Sequence, residues 1–177
     1  MWIHLFRHGI AIDPEDPSCP TDPERALTDK GRSKTRAAAQ GMAALDIEID
    51  LLVTSPYVRA RQTAEIVNDV LGGGKIQTLV DEALVPTANP DAVTSLLREH
   101  IAGGAQPEAI MCVGHAPNLD RVIAHLVGAD EPITQLKKAG LASILLRGQT
   151  IGHACGRLFA LHPPSTLRRL GPTRGRS

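Results

Sequence analysis

The feature that most constrains the fold of this sequence is a regular alternation between short apolar runs and longer amphipathic segments. Short apolar runs bounded by turn residues are typical of strands, and apolar residues spaced three or four apart are typical of helices that bury one face. Strands and helices that take turns form an α/β domain, because two parallel strands need a crossover such as a helix between them. We therefore expect an α/β fold.

The individual apolar and amphipathic runs set the bounds of the predicted strands and helices. The predicted strands cover 2–6, 51–54, 76–80, 109–113, 141–147 and 157–161, and the predicted helices cover 29–45, 56–71, 90–102 and 117–127. The run AIMCV at 109–113 is fully apolar, which is typical of a central strand covered on both faces. The last two strands are close enough in sequence to pair directly. The pattern predicts three α/β/α layers around a mostly parallel central sheet with a late antiparallel strand.

Capping residues mark several of the predicted helix ends. Thr28 is a good N-cap for the first helix, and Pro56 stands where the missing N–H of a proline costs nothing at the start of the second. The glycines at 72–74 are expected to end the second helix, and Gly103-Gly104 the third.

Length and composition indicate one globular domain. The 177 residues are 42% hydrophobic and 21% charged, which is enough for a core of its own. No internal repeat or second domain is visible, so we expect a single domain over 1–162. Residues 163–177 carry four arginines and no acid, and we expect a basic, flexible C-terminal tail there. One Trp, one Tyr and two Phe offer little surface for base stacking, so nucleic acid is not an expected partner.

The cysteines and the apolar runs bear on the compartment. Cys19, Cys112 and Cys155 are odd in number and share no CxxC-type spacing. This usage argues against a disulfide framework or a zinc site and favours a reducing compartment. Arg7 comes too early for a secretory leader, and no apolar stretch has the length of a membrane span. We expect a cytoplasmic protein that does not associate with membranes, and the sequence sets no oligomeric state.

Polar and charged side chains follow three of the predicted strands where each strand ends. They are Arg7, His8 and Gly9 after the first strand, Ser55 and Arg59 after the second, and His115 after the fourth. Because the carboxyl ends of parallel strands lie along one edge of an open α/β sheet, we expect these residues to converge. Within a strand Arg7 and His8 would point to opposite faces, so Gly9 is expected to permit the turn that brings both to one ligand.

The chemistry of this set favours an anionic ligand. It contains two arginines, two histidines and a helix N-terminus, with no carboxylate among the strand-end residues. Guanidinium groups and the N–H groups of a helix start both bind phosphate oxygens. Metal binding by His8 and His115 is the rival interpretation, but no third ligand is evident and Arg7 would repel a cation. We expect a phosphate site without a metal or another cofactor.

The motifs FRHGIA, LTDKG, VTSPYVRARQTAEIV and VGHAPNL follow one another within residues 2–127. In this order they resemble the motifs of the histidine phosphatase superfamily, whose fold is phosphoglycerate mutase-like. The spacings and the short chain are most similar to the SixA-type phosphohistidine phosphatases. The resemblance implies a metal-independent phosphatase that works through a phosphohistidine enzyme intermediate.

The resemblance also implies a role for individual residues. His8 would be the nucleophile, and Arg7, Arg59 and His115 its phosphate pocket. From their positions beside these residues we also expect Gly9, Ser55 and Asn118 at the substrate site, with Ser55 first shaping the turn and Asn118 bracing the pocket through a hydrogen bond. His8 must be unprotonated to attack phosphorus, whereas His115 serves best protonated, so their pKa values must be pushed apart. We expect a pH profile that changes around neutrality.

The general acid and the substrate are linked questions. Many larger relatives use a glutamate after the third strand, and the segment VDEALVP offers Glu82 beside Asp81, although a solvated acidic loop is the alternative. An alkoxide leaving group needs a proton from such an acid, whereas imidazole leaving a phosphohistidine can do without one.

Three functions remain open on these grounds. The first is removal of phosphate from phosphohistidine on a signalling or phosphotransfer protein, which suits a short chain with no long insertion to roof the pocket. The second is hydrolysis of a small phosphorylated metabolite. The third is a phosphate-binding module without chemistry, which is disfavoured because all four core residues are present.

Overall fold

The computed structural model describes residues 1–102, 107–148 and 151–171. Strands and helices alternate along this part of the chain. The strands are β1 (Trp2–Arg7), β2 (Leu51–Thr54), β3 (Gln77–Val80), β4 (Ala109–Gly114), β5 (Leu141–Leu146) and β6 (Gly156–His162). The helices are α1 (Asp29–Ala43), α2 (Val58–Gly72), α3 (Pro90–Ala102), α4 (Asn118–Val127) and α5 (Pro164–Leu170), and short 3-10 turns cover Asp22–Glu24 and Glu82–Leu84.

The six strands form one sheet in the order β3-β2-β4-β1-β5-β6. β1, β2, β3 and β4 are parallel, and α1, α2 and α3 make the crossovers between them. β5 runs antiparallel to both of its neighbours, β1 and β6, so it is the one strand of this sheet that points the other way. The predicted α/β fold, with a mostly parallel sheet and a late antiparallel strand, is confirmed.

Helices cover both faces of the sheet. On one face the core is formed with α3 and α4, and on the other with α1, α2 and α5. β4 lies between these layers: Ile110 and Cys112 belong to the first core, whereas Met111 and Val113 belong to the second. A strand with both faces buried needs the unbroken apolar run seen in the sequence.

Most helix ends agree with their predicted caps. The Thr28 side chain accepts a hydrogen bond from the Gly31 N–H at 3.0 Å, and Gly73 ends α2 with a φ of 58°. The start of α2 was predicted wrongly, because the helix begins at Val58 rather than at Pro56. The Ser55 hydroxyl accepts from the Tyr57 N–H at 3.3 Å, which holds residues 55–57 in a turn before the helix. Gly103-Gly104 lie outside the described residues.

The prediction of a flexible C-terminal tail from residue 163 is wrong for residues 164–170. Pro164–Leu170 forms α5, and its Leu167 is fully buried against α1 in the core that contains Ala38 and Met42. The contact is close, because a Cβ atom on Gly41 would lie 1.9 Å from the Leu167 carbonyl oxygen. The arginines suggested a solvated segment, but one leucine on the inner face of a short helix is enough to dock it. Residues 172–177 lie outside the described residues.

Candidate active site

The polar residues that end β1, β2 and β4 meet at the carboxyl edge of the sheet. The His8 N–H donates to the Gly114 carbonyl and the Ser55 N–H to the Val113 carbonyl, both at 3.0 Å. The ring centroids of His8 and His115 are 4.9 Å apart. The parallel pairing of these strands therefore brings together side chains that are distant in sequence.

His8 is held in one neutral tautomer. Its Nδ1 atom lies 2.7 Å from the Gly9 carbonyl oxygen, which can only accept, so Nδ1 carries the proton. Its Nε2 atom accepts from Arg59 Nε at 3.3 Å and therefore carries the lone pair. Burial, assisted by the nearby His115 and the two arginines, holds the pKa of His8 well below its usual range. At neutral pH the side chain thus has the uncharged form that a nucleophile requires.

Gly9 is required for space rather than for its backbone angles. The described glycines with positive φ do not include it, so the expected use of an unusual φ is wrong. A Cβ atom at this position would lie 2.2 Å from Thr35 Oγ1 and 3.2 Å from the Leu27 side chain. The Gly9 N–H also donates to Thr63 Oγ1 at 3.1 Å. The loop after His8 therefore packs directly on α1 and α2.

Arg59 is fixed from two sides. Its Nη2 donates to Asp22 Oδ2 at 3.1 Å, and its guanidinium carbon lies 4.9 Å from the centroid of the Tyr57 ring. Partial burial raises the pKa of Asp22, but hydrogen bonds from Arg25 and Arg59 together hold it below its ordinary value. Asp22 is therefore ionised at neutral pH. The sequence pattern missed both residues, because Asp22 lies in a proline-rich loop and Tyr57 in the turn before α2, where no periodicity marks a contact.

His115 lies in the same cluster, beside Ser55 and Tyr57. Its Nε2 atom is 3.0 Å from the Ser55 hydroxyl, and its ring lies edge-on to Tyr57 with centroids 5.0 Å apart. Burial, followed by the charge of Arg59, lowers the pKa of His115 to about 3. The resting side chain is therefore neutral at pH 7, whereas the protonated form is expected from the sequence when phosphate is bound. A phosphoryl dianion beside the ring would raise this pKa, because an opposite charge favours the protonated form.

Arg7 is positioned through a chain of hydrogen bonds. Its Nη1 donates to the Leu136 carbonyl at 2.7 Å, and the Leu136 N–H donates to Asp120 Oδ1 at 2.8 Å. Asp120 is buried on the first turn of α4, and it also accepts from the Thr134 hydroxyl. Sequence reasoning did not single out Asp120. The sequence signal that could have found Asp120 is its position as the one acid among the apolar residues on the buried face of α4.

Asn118 braces a neighbouring loop. It is fully buried, and its amide nitrogen donates to the carbonyl oxygens of Ala83 at 3.1 Å and Val85 at 2.9 Å. With both amide hydrogens used in this way, the side chain holds the loop after β3 against the start of α4. The expected contact between Asn118 and the substrate has no support from these bonds.

Asp81 and Glu82, the two acidic residues of that loop, differ in their hydrogen bonds. Asp81 caps the short 3-10 turn, since its carboxylate accepts from the Ala83 N–H at 2.8 Å. Glu82 is exposed, and among the described residues no hydrogen bond or ion pair engages its side chain. Of the two, Glu82 is the one whose carboxyl group has no hydrogen-bond partner in this part of the chain.

Within residues 1–102, 107–148 and 151–171, no group of three His, Cys, Asp or Glu side chains is arranged to hold a metal ion. The same part of the chain contains no helix with the length and hydropathy of a membrane span.

Comparisons with known proteins identify the arrangement. Residues 3–85 match the family described as histidine phosphatase superfamily (branch 1). An uncharacterized protein of Picosynechococcus sp. is 35% identical over 170 residues, which cover 94% of this chain and 99% of that protein. The chain belongs to the histidine phosphatase superfamily. Its enzyme class is therefore that of a hydrolase of the histidine phosphatase type, and a phosphate-binding module without chemistry is not supported.

Within the histidine phosphatase superfamily, the chain is similar to SixA proteins. The phosphohistidine phosphatase SixA of Escherichia coli is 26% identical over 147 residues, covering 82% of this chain and 86% of that protein. The structure of a protein histidine phosphatase SixA complexed with tungstate superposes with a TM-score of 0.81 at 24% identity, covering 94% and 99% of the two chains. The predicted superfamily and its fold are confirmed.

The geometry of this histidine phosphatase site can support two-step phosphoryl transfer. The lone pair on His8 Nε2 can form a bond to phosphorus while the bond from phosphorus to the leaving group breaks. Arg59 Nε, already 3.3 Å from Nε2, then lies beside the oxygens of the transferred group, and its charge offsets theirs. Attack by water on the phosphorus returns the electron pair to Nε2 and releases phosphate.

Proposed function

We propose that this histidine phosphatase removes phosphate from phosphohistidine on a signalling or phosphotransfer protein, with His8 as nucleophile and Arg7, Arg59 and His115 as the phosphate pocket. The observation that carries the proposal is the protonation state of two ionisable groups near Arg59, Asp22 and His115. Asp22, the carboxylate bound to Arg59, is ionised by its two arginine partners, and His115 rests in its neutral form. Asp22 has no proton to give to a departing alkoxide, and His115 has one only once a bound phosphoryl group has raised its pKa.

A phosphohistidine substrate avoids this requirement. When the phosphorus–nitrogen bond breaks, the electron pair stays on one ring nitrogen, and the second nitrogen carries the proton that makes the product a neutral imidazole. That second nitrogen lies on the far side of the ring and can take its proton from solvent. An alkoxide has no such second site, and general acid catalysis of its departure is typically worth roughly 10²- to 10⁴-fold.

The comparisons support the same substrate class. The E. coli relative is described as a phosphohistidine phosphatase, and the superposed SixA structure holds tungstate, a tetrahedral oxyanion with the shape of phosphate. The likeness covers 82% of this chain for the E. coli relative and 94% for the superposed structure, and the family match over residues 3–85 spans Arg7, His8 and Arg59.

The test is phosphate release from a phosphotransfer protein that carries phosphohistidine. The wild-type chain is expected to hydrolyse it, and His8→Ala to lose at least about a thousand-fold in kcat, because the nucleophile is gone. His100→Ala, on the last turn of α3, is the matched control and is expected to keep full activity. Turnover of phosphate esters without turnover of the phosphohistidine protein would refute the proposal.

One observation favours the second candidate, a small phosphomonoester substrate. Glu82 is unengaged, and Asn118 anchors its loop to the helix that follows His115. If Glu82 is a general acid, Glu82→Gln loses roughly 10²-fold or more on phosphate esters and little on phosphohistidine. If Glu82 belongs to a solvated loop, both substrates are unaffected, as is expected for the exposed control Glu99→Gln.

A further inference from the structure

A second cavity adjoins the proposed phosphate pocket. It has a volume of about 420 Å³, and Arg7 belongs to its wall. α1 contributes Lys34 and Thr35, α5 contributes Pro164 and Arg168, and the segment before β5 contributes Lys137 and Lys138. The cavity therefore exists only because α5 docks on α1 near the end of β1.

All the charged side chains that line this cavity are cationic. Five of its lining side chains are cationic, namely Arg7, Lys34, Lys137, Lys138 and Arg168, and none is acidic. Among the described residues, no ion pair engages any of the five. Burial lowers the pKa of Lys138, and the neighbouring Arg7, Arg25 and Arg59 lower it further, against the opposing charge of Asp13.

Two polar atoms in the wall have no partner. Thr35 is fully buried and its hydroxyl makes no hydrogen bond within the described structure, and the same holds for the buried Nε atom of Arg7. Both atoms are inaccessible from the cavity, and the Thr35 hydroxyl packs against Gly9, so they lie behind the surface of the wall, which the cationic side chains form.

We propose that this basic cavity binds acidic side chains of the protein substrate, next to the phosphohistidine that occupies the catalytic pocket. The inference rests on the proposed function. Arg7 belongs to both sites, so a carboxylate in the cavity and a phosphoryl group at His8 lie on either side of one guanidinium. The cations lie on four separate segments of the chain, and Lys137 and Lys138 are exposed, which suits several carboxylates on a protein surface better than one small anion.

The test compares two substrates and two pairs of matched variants. One substrate is a phosphohistidine protein with acidic residues around the phosphohistidine, and the other is phosphoramidate, which fills only the catalytic pocket. The variants are Lys34→Gln and Arg168→Gln, and the controls are Lys30→Gln and Arg169→Gln, exposed residues on the same two helices. Thermal melts confirm that each variant is folded.

The double variant Lys34→Gln/Arg168→Gln is expected to lose about ten-fold in kcat/KM on the acidic protein, since each exposed charge pair contributes roughly a two- to five-fold change. The loss on phosphoramidate should be several-fold smaller, and changing the acids of the substrate protein to amides should remove most of the difference. Raised salt should weaken the wild type more than the double variant. Equal losses on both substrates, or equal losses in the controls, would overturn the proposal.

A separate arm distinguishes this inference from the proposed function. Binding of an unphosphorylated glutamate-rich peptide to the wild type and to the double variant is measured by titration calorimetry. Weaker binding to the double variant supports the cavity as an acidic-peptide site even if no phosphohistidine is hydrolysed. Equal binding, or none, contradicts it even if phosphohistidine is the substrate.

Discussion

Arg59 Nε lies 3.3 Å from His8 Nε2, and the same guanidinium is held from its other end by Asp22. The cation therefore stands beside the proposed nucleophile before any phosphate arrives, held there by Asp22. Such preorganisation lets charge stabilisation act without a rearrangement at the moment of reaction.

The Asp22–Arg59 pair makes Asp22 a positioning residue. We expect Asp22→Asn to reduce kcat/KM by roughly ten-fold, because a loosened guanidinium stabilises the transferring phosphoryl group less well. Steady-state kinetics on phosphoramidate measure the loss. Glu24→Gln is the control, because Glu24 lies in the same turn but accepts a hydrogen bond from Thr21, and it should leave kcat/KM unchanged. In a double-mutant cycle with Arg59→Lys the two losses should not add; full additivity would show that Asp22 acts independently.

The pH dependence of activity follows from the two histidines. Burial holds the pKa of His8 well below 6.5, so the acidic limb of kcat/KM, which reports the free enzyme, is expected below pH 6.5. The profile of kcat reports the bound state, in which a phosphoryl dianion raises the pKa of His115 from about 3. An alkaline limb in kcat that disappears in His115→Gln is therefore expected. An acidic limb at 6.5 or above in kcat/KM would contradict this assignment.

Stability should also depend on pH, through His4. This residue is buried on β1, its Nδ1 lies 2.9 Å from the Ser143 hydroxyl, and burial lowers its pKa to about 4. Between pH 6.5 and about 4 the unfolded chain binds a proton that the folded chain does not, so stability is present above pH 6.5 and falls as the pH is lowered. The expected contribution is about 3 kcal/mol over this range. Urea unfolding at several pH values should show a shallower fall in His4→Gln, whereas the exposed control His153→Gln should keep the wild-type slope.

Leu167 tests the docking of α5. Leu167→Ala is expected to lower the free energy of unfolding by about 2 to 4 kcal/mol, because it removes a fully buried side chain from the core beside α1. Leu170→Ala, at a position that is 43% exposed on the same helix, should cost much less. Chemical denaturation of both variants measures the difference. Equal, small effects would show that the helix does not contribute to the core.

Much of the fold is determined by local pattern. The apolar run of β4 predicts a central strand because only a strand buried on both faces lacks polar residues, and Thr28 predicts the start of α1 because a hydroxyl there can bond the Gly31 N–H. The meeting of His8, Arg59 and His115 follows from the same pattern, since parallel strands place their carboxyl ends on one edge.

Other features depend on contacts between residues that are far apart in sequence, which no local pattern predicts. Asp22 holds Arg59 only because the loop after β1 folds over α2, and Leu167 is buried only because a short basic helix finds α1. Gly9 is required by the Thr35 side chain rather than by its own backbone angles.

The sequence by itself determined the superfamily and the order of strands and helices as far as β6, and it predicts the phosphate-site residues, because these depend on residue type and spacing. The tertiary structure alone decided the neutral state of His115, the support of Arg7 and Arg59 by Asp120 and Asp22, and the basic cavity beside them. Burial and the approach of distant charges set these properties, and both arise only when the chain is packed.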